Sequence, residues 1–203
     1  MLIVPAASPL TTAAALFAAL RDRPGALSWA TSGTGNIGHL SGAQMLSQAA
    51  SGGAPLRAEH ISYRGGAQVM EALAKNEVQF SVEPLASATP HLRDRLSRGL
   101  AVTSPARHPL FPTIPTLAEV GLTGFDATTW NVLVGPRAMP PAITAAINRA
   151  TLAVLADPSA RDRLSLAGLD PAEPTTPDAT RDFLVAELAK FRRIMESGTL
   201  GIQ

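Results

Sequence analysis

The sequence predicts an α/β fold, in which a parallel sheet carries helices on both faces and an all-helical tail follows. Two observations support this. Short apolar runs alternate with helical patterns from residue 2 to about residue 128, which is typical of βα units. From Pro140 onward the pattern is almost entirely helical, and no second set of strands is present for its apolar stripes to cover. We therefore expect one complete α/β domain at residues 2–128. Residues 129–203 would form a crossover strand and helices that belong to an incomplete partner domain.

Turn and cap residues separate the elements of the first part. Thr11 or Thr12 caps a helix that continues to about Leu20, and Pro24-Gly25 ends it. Later helices contain residues 40–49, 69–74 and 85–96, with a break allowed at Pro90, and a short helix covers residues 116–120. The predicted strands are residues 2–4, 27–31, 56–63, 78–82, 100–103 and 125–134.

Three helices are predicted in the tail. Asp157-Pro158 opens the second of them, and Thr176-Pro177 places a cap and a first-turn proline before the third. The first and third helices carry apolar residues at helical spacing, so each presents a stripe that needs a partner surface. These residues are Ile143, Ile147, Ala150 and Val154 in the first helix, and Leu184, Leu188, Phe191 and Met195 in the third.

Composition excludes several classes of function. Net charge is +1 with neutral histidines, only 4 % of residues are aromatic, and the basic residues are scattered, so we expect no nucleic-acid surface. The absence of cysteine removes disulfides and thiolate chemistry. No apolar run has the length needed to span a bilayer.

The best candidate for a ligand site is residues 27–48, which have the layout strand, Gly-rich turn, helix. The turn contains Ser32, Gly33, Thr34 and Gly35. Such a turn leaves the first N–H groups of the helix unpaired, and the helix dipole adds positive potential, so an anion is favoured there. The hydroxyls of Ser32 and Thr34 add neutral donors. We therefore expect a small anionic ligand that binds without a cofactor.

The same turn also fits a second interpretation. Gly33 to Gly38 is a G-x-G-x-x-G segment between a strand and a helix, and Glu59 follows about twenty residues later, where a dinucleotide site places its acid. The alternative is thus an α/β nucleotide-binding domain or enzyme that uses this loop. A strand and a helix precede the segment, whereas a dinucleotide fingerprint usually opens its domain. A remnant that binds no ligand is the third alternative.

Other polar residues are weighed against this turn. The four histidines are far apart in the chain, so we expect no metal site, and only His39, in the first helical turn, is placed beside the ligand. Tyr63 and Glu83 follow the next two strands, and ligands in such sheets collect beyond the carboxyl ends of strands. Glu83 there would select an amine or a protonated acid. No serine lies in a G-x-S-x-G segment, and nothing else in the sequence supports a Ser–His–acid triad.

Taken together, several segments resemble one known family. They are LSWATSGTG at residues 27–35 with His39-Leu40, ISYRGG at 61–66, LAVTS at 100–104, PTIPTLAE at 112–119, and Trp130 before Gly135-Pro136. In order and spacing the chain resembles the substrate-binding receptors of tripartite tricarboxylate transporters, the Bug or TctC family.

The resemblance implies a non-catalytic clamshell receptor of the type II periplasmic-binding-protein fold, which delivers a small carboxylate to membrane permease subunits. It implies that residues 32–35 and the turn Tyr63-Arg64-Gly65 line the cleft. Residue 1 aligns with the middle of a family member, so the other jaw would be missing and the chain truncated. A homo-oligomer through the exposed helix faces would be one way to cover them.

The resemblance also implies a periplasmic location. Residues 1–20 contain no Lys or Arg, and prolines, serine and threonines interrupt their apolar run, so no convincing signal peptide is present. The chain made as written would then be cytoplasmic. Glu83 stands where members commonly have Asp or a small residue.

Overall fold

The computed structural model describes residues 1–196, and the chain in it forms two compact units. One unit contains residues 1–129 and the described residues after 193, and the other contains residues 130–193. Among the described residues, no helix is both long enough and apolar enough to cross a bilayer.

The first unit contains one five-stranded mixed sheet in the order β3-β2-β4-β1-β5. Its strands are β1 (Leu2–Pro5), β2 (Ser28–Thr31), β3 (Glu59–Ser62), β4 (Phe80–Val82) and β5 (Ser97–Ala101). They lie where the apolar runs predicted five of the six strands.

The expectation of an all-parallel sheet is wrong at β1. β2 runs parallel to β3 and to β4, but β1 runs antiparallel to both of its neighbours, β4 and β5. Every residue of β1 is buried, as expected for a central strand read from a continuous apolar run. Such a run predicts burial on both faces, but the direction of a strand depends on the neighbours with which it pairs.

The sheet has a hydrophobic cluster on each face. Leu2, Trp29 and Phe80 point to one side, where the apolar residues of the first two helices pack. Ile3 and Ala30 point to the other side, against the third and fourth helices. Alternate residues of the same strands thus serve opposite clusters, as the pleat of a strand requires.

The described residues contain seven helices, four of them in the first unit. These four are α1 (Ala13–Asp22), α2 (Ile37–Gln48), α3 (Gly66–Ala74) and α4 (Leu85–Arg93). Thr12 caps α1 as predicted, since its hydroxyl accepts from the Ala15 N–H at 3.1 Å. α4 continues through Pro90 without a break.

Two glycines of α2 let this helix lie close to the sheet. A Cβ on Gly38 would lie 2.4 Å from the Val82 carbonyl oxygen, and one on Gly42 would lie 2.1 Å from the Trp29 ring. Side chains at these positions would push α2 away from the edge where the predicted ligand turn lies.

Two further predictions are wrong. Residues 125–134 form no strand: the segment is irregular, although Phe125 and Ala127 are buried, and the Ala127 N–H donates to the Thr103 carbonyl at 2.9 Å. Residues 116–120 form a turn instead of a helix, because Thr116 bridges in parallel to Val102 and the chain turns back at Gly121.

The second unit contains the helices of the tail. They are α5 (Pro141–Ala156), α6 (Pro158–Leu166) and α7 (Pro177–Glu196). The residues of α7 after Arg193 belong to the first unit. The predicted caps are formed: Asp157 accepts from the Ala160 N–H at 2.8 Å and Thr176 from the Ala179 N–H at 3.1 Å. The part of the tail prediction on residues 197–203 lies outside the described residues.

Candidate ligand-binding site

The predicted site residues lie at the carboxyl edge of three adjacent parallel strands. Ser32 follows β2, Tyr63 follows β3 and Glu83 follows β4. The Tyr63 N–H donates to the Thr31 carbonyl at 2.9 Å, and the Ser32 N–H donates to Glu83 Oε1 at 2.6 Å. The structure therefore brings these three positions together, as the topology of a parallel sheet requires.

The Gly-rich turn is held by its own side chains. Gly33 and Gly35 adopt φ of 145° and 79°, which favour glycine. Asn36 caps α2: its Oδ1 accepts from the His39 N–H at 2.9 Å, and its Nδ2 donates to Ser32 Oγ at 2.9 Å. The turn is thus a preformed structure at the N-terminus of α2.

The donors left for a ligand are fewer than the sequence suggested. The Gly35 N–H donates to His39 Nδ1 at 3.0 Å, and the Ser32 N–H is taken by Glu83. Across residues 1–196, no hydrogen bond from the Gly33 or Thr34 N–H to another protein group is found. Thr34 is also exposed. An anion at this turn would therefore meet the N–H groups of Gly33 and Thr34.

A second helix N-terminus lies at the same edge. Gly65 is the N-cap of α3 and has no side chain to accept from the first N–H groups of the helix. Arg64 is exposed, and its N–H donates to Gln68 Oε1 at 3.1 Å. Tyr63 is half-buried and packs against the apolar cluster on the α3 side of the sheet. Arg64 is thus the exposed cation of this turn, and the role of Tyr63 in ligand binding stays a prediction.

Glu83 lies between the two helix N-termini. Its side chain is only 1 % exposed, and a Cβ on Gly66 of α3 would be 3.2 Å from Glu83 Oε2. Oε1 accepts from Ser32, whereas Oε2 is buried without a hydrogen-bond partner. Burial raises the pKa of this carboxyl, and the hydrogen bonds from Ser32 oppose the rise. Glu83 is therefore part of the floor of the site.

The structure also assembles a histidine pair that spacing in the chain did not predict. The rings of His39 and His60 stack at 4.2 Å with an interplanar angle of 15°, and Trp29 packs against both. His60 Nε2 lies 2.8 Å from Thr31 Oγ1. The strand register could have indicated that His60 lies here. His60 pairs with Trp29 in parallel strands, so both side chains point to the same face of the sheet.

The fold does not place Glu59, the acid of the dinucleotide interpretation, beside the Gly-rich turn. Glu59 is the first residue of β3 and pairs with Ser28, the first residue of β2. It lies at the amino edge of the sheet, opposite the Gly-rich turn. No group of three or more His, Cys, Asp or Glu side chains within residues 1–196 is placed to hold a metal ion.

These features define a class of protein: an α/β domain with two helix N-termini at the carboxyl edge of its sheet. Residues 1–200 match the family model described as tripartite tricarboxylate transporter family receptor, or TctC. The chain belongs to this receptor family.

Relatives and solved structures agree with this assignment. The chain is 29 % identical to a UPF0065 protein in the tcbD-tcbE intergenic region of Pseudomonas sp. strain P51, across 96 % of this chain and 56 % of the relative. Its fold is similar to that of R. palustris Rpa4515 with adipate, with TM-score 0.88, 28 % identity and coverage of 100 % of this chain and 65 % of the other.

A further similar fold is that of the periplasmic binding protein BugD. The TM-score is 0.86 at 22 % identity, with 100 % of this chain and 66 % of that one covered. The clamshell-type α/β fold predicted from the sequence is thereby confirmed. The chain spans about half the length of the curated relatives it matches.

Proposed function

We propose that this chain is the ligand-holding part of a solute receptor that binds a small carboxylate and acts without catalysis. The observation that carries the proposal is that the Gly33 and Thr34 N–H groups, in the turn before α2, make no hydrogen bond within residues 1–196. They lie at the same sheet edge as the N-terminus of α3, which no side chain caps. Backbone donors at a helix N-terminus favour anions, and two such ends suit a carboxylate.

The adipate bound to R. palustris Rpa4515 supports the choice of ligand class. In our proposal one carboxylate of a dicarboxylic acid lies over Gly33 and Thr34, and the hydroxyls of Ser32 and Thr34 contribute. Arg64, exposed on the neighbouring turn, supplies positive charge at the rim. Buried Glu83 disfavours a second negative charge directly above it, which keeps the ligand carboxylate toward the exposed side of the turn.

The receptor would act in the periplasm and present its ligand to the permease subunits of a tripartite tricarboxylate transporter. Family membership supports this role. A second jaw, from further chain or another molecule, would close over the carboxyl edge of the sheet. Separately, the exposed apolar residues of α5 and α7 would favour a homo-oligomer, and light scattering would detect it.

The test is thermal unfolding of the purified chain with adipate, with its uncharged analogue adipamide, and with NAD. A ligand that binds only the native state raises the melting temperature by mass action. We expect adipate to raise it and adipamide to leave it unchanged. Stabilisation by NAD and not by adipate would instead favour the nucleotide-binding alternative.

A variant pair then locates the site. Thr34→Ala removes an exposed hydroxyl beside the Gly33 and Thr34 N–H groups and should weaken adipate binding about 3- to 10-fold, the usual net effect of one hydrogen bond. Thr11→Ala removes an exposed hydroxyl in the loop between β1 and α1 and should change nothing. Equal affinities of both variants would refute the placement of the site.

A further inference from the structure

We propose that His39 and His60 are positioning residues, which hold the Gly-rich turn in its ligand-binding geometry through a stacked pair of neutral imidazoles. This inference rests on the proposed function, since it concerns how the same site is kept ready. It assigns His60 a role that neither its spacing nor any motif indicated.

His39 holds one end of the turn. Its Nδ1 accepts from the Gly35 N–H at 3.0 Å, so the proton of the neutral ring must be on Nε2. This hydrogen bond occupies the Gly35 N–H and therefore fixes the orientation of the peptide plane between Thr34 and Gly35. In our proposal that orientation leaves the Thr34 N–H facing the ligand. A protonated His39 has no acceptor at Nδ1 and cannot make this bond.

His60 holds the other end through Thr31. Thr31 Oγ1 lies 3.1 Å from the Gly33 carbonyl oxygen and 2.8 Å from His60 Nε2. The carbonyl can only accept, so the single hydroxyl proton goes to Gly33 and the threonine oxygen accepts from His60 Nε2–H. The Gly33 carbonyl is thereby tied to β2 and β3. Its own N–H stays free for a ligand.

The packing around the two imidazole rings disfavours the protonation of either one. The two imidazole rings stack on each other with their centroids 4.2 Å apart, and both pack against Trp29. On the other side of Trp29, the ring of Phe80 in β4 stacks at 6.0 Å. Burial lowers the pKa of His39. Burial, and secondly the charge of His39, lower the pKa of His60 to about 4. Around the pair, β2 and β4 present Trp29 and Phe80, which carry no charge. Glu83, which follows β4, is a titratable group that contacts the turn, through the Ser32 N–H.

The pH dependence of adipate binding distinguishes two roles for His39: positioning the turn, or attracting the carboxylate with a positive charge. A histidine that merely lends positive charge to an anion site would strengthen carboxylate binding on acidification. A histidine that positions the turn as an acceptor does the reverse: protonation sets a ring N–H against the Gly35 N–H and loosens the turn. Adipate affinity should then fall as the pH falls through the His39 pKa, which burial places below the unperturbed histidine value.

The first measurement needs no ligand. Long-range ¹H–¹⁵N NMR of the purified chain at pH 7.5 should show both His39 and His60 as Nε2–H tautomers. The Gly35 amide resonance should move with the titration of His39. An Nδ1–H tautomer at His39, or a Gly35 amide indifferent to its titration, would overturn the inference whatever the ligand proves to be.

The second measurement is calorimetry with adipate on four variants. His39→Phe keeps a ring but no acceptor, and should weaken binding about tenfold at pH 7.5. His39→Gln keeps an acceptor that cannot charge, so its affinity should stay near wild type at pH 7.5. Between pH 7.5 and 5.5 its affinity should fall less than that of the wild type. Ligand protonation is the same for both proteins and therefore cancels from the comparison.

Thr31→Val removes the link from His60 to Gly33 at nearly constant volume, and should also weaken binding. Its control is Ser28→Ala on the same strand, where the hydroxyl contacts Gln79 at the far edge. Wild-type affinity in both His39→Phe and Thr31→Val would overturn the inference while leaving the proposed function intact. No adipate binding by the wild type would overturn both.

Discussion

The two units of this chain differ in where they place their apolar side chains. In the first unit, Leu2, Leu16 and Phe80 are fully buried around a mixed sheet. In the second, α5 and α6 contain no buried residue, and the one buried residue described in α7 is Glu187. Val154 and Leu188 are 59 % and 53 % exposed. The first unit thus has its own core, whereas the second has capped helices whose apolar stripes are typical of an interface.

The largest effect should come from emptying the core of the first unit. Phe80→Ala removes a fully buried ring from the central sheet and should cost about 3–5 kcal/mol of unfolding free energy. The matched change in the second unit, Leu188→Ala, should stay within about 0.5 kcal/mol, because half of that side chain is already in water. Urea unfolding followed by circular dichroism measures both. A loss from Leu188→Ala as large as that from Phe80→Ala would mean that the stripe is buried in solution.

A smaller effect should separate two neighbouring glycines at the ligand edge of the first unit. A Cβ on Gly66 would lie 2.3 Å from Ser87 Oγ and 3.2 Å from Glu83 Oε2, whereas one on Gly65 meets nothing within 4 Å. Gly66→Ala should therefore cost about 1–3 kcal/mol by overpacking. Gly65→Ala should change stability little, and the same urea titration compares them. If the two variants proved equally stable, α3 could not be packed against Glu83 as closely as described.

The smallest effect contrasts the buried glutamate of each unit. Glu187 Oε2 accepts from Trp130 Nε1–H at 3.1 Å, and its Oε1 lies 2.6 Å from Lys190 Nζ. Glu83 has no cationic side chain in hydrogen-bond contact, and one of its oxygens has no partner. At pH 8, Glu83→Gln should raise the melting temperature, whereas Glu187→Gln should lower it slightly through loss of the ion pair.

The sign of the Glu83 effect follows from linkage. Burial raises the pKa of Glu83 above 4.5, so its neutral form favours the folded state, and that stability is lost as the pH rises through the folded pKa. The advantage of Glu83→Gln should therefore disappear below pH 4.5. Melting curves from pH 4 to pH 8 test this. A constant difference across that range would contradict it.

Local patterns predicted most of the secondary structure. Caps such as Thr12, Asp157 and Thr176 are local features, because a hydroxyl or carboxylate next to a helix start meets the free N–H groups whatever the rest of the fold does. The extended stretch at residues 125–134 was predicted wrongly as a strand for the opposite reason. Its buried residues alternate, but a strand also needs a partner backbone along its length. The Ala127 N–H donates to Thr103, whereas the Phe125 N–H donates only locally, to the Leu122 carbonyl at 3.0 Å, so no ladder forms.

The candidate site was predicted in part. The strand, turn and helix at residues 28–48 place the Gly-rich turn, and the parallel strands bring Glu83 and Tyr63 to it. The partners of individual atoms could not be read from the chain. Sequence spacing left the Gly35 N–H available to a ligand, and only the packing of α2 turned His39 Nδ1 toward it.

Local sequence specifies where most of the helices and strands of this protein lie, which of their faces are apolar, and that a Gly-rich turn precedes α2. These properties depend on residues within a few positions of one another. Tertiary packing alone makes β1 run antiparallel between β4 and β5, places Glu59 at the wrong edge for a nucleotide, and stacks His60 on His39. Each of these depends on which strands pair and in what register, and pairing is a competition among distant segments that no local pattern records.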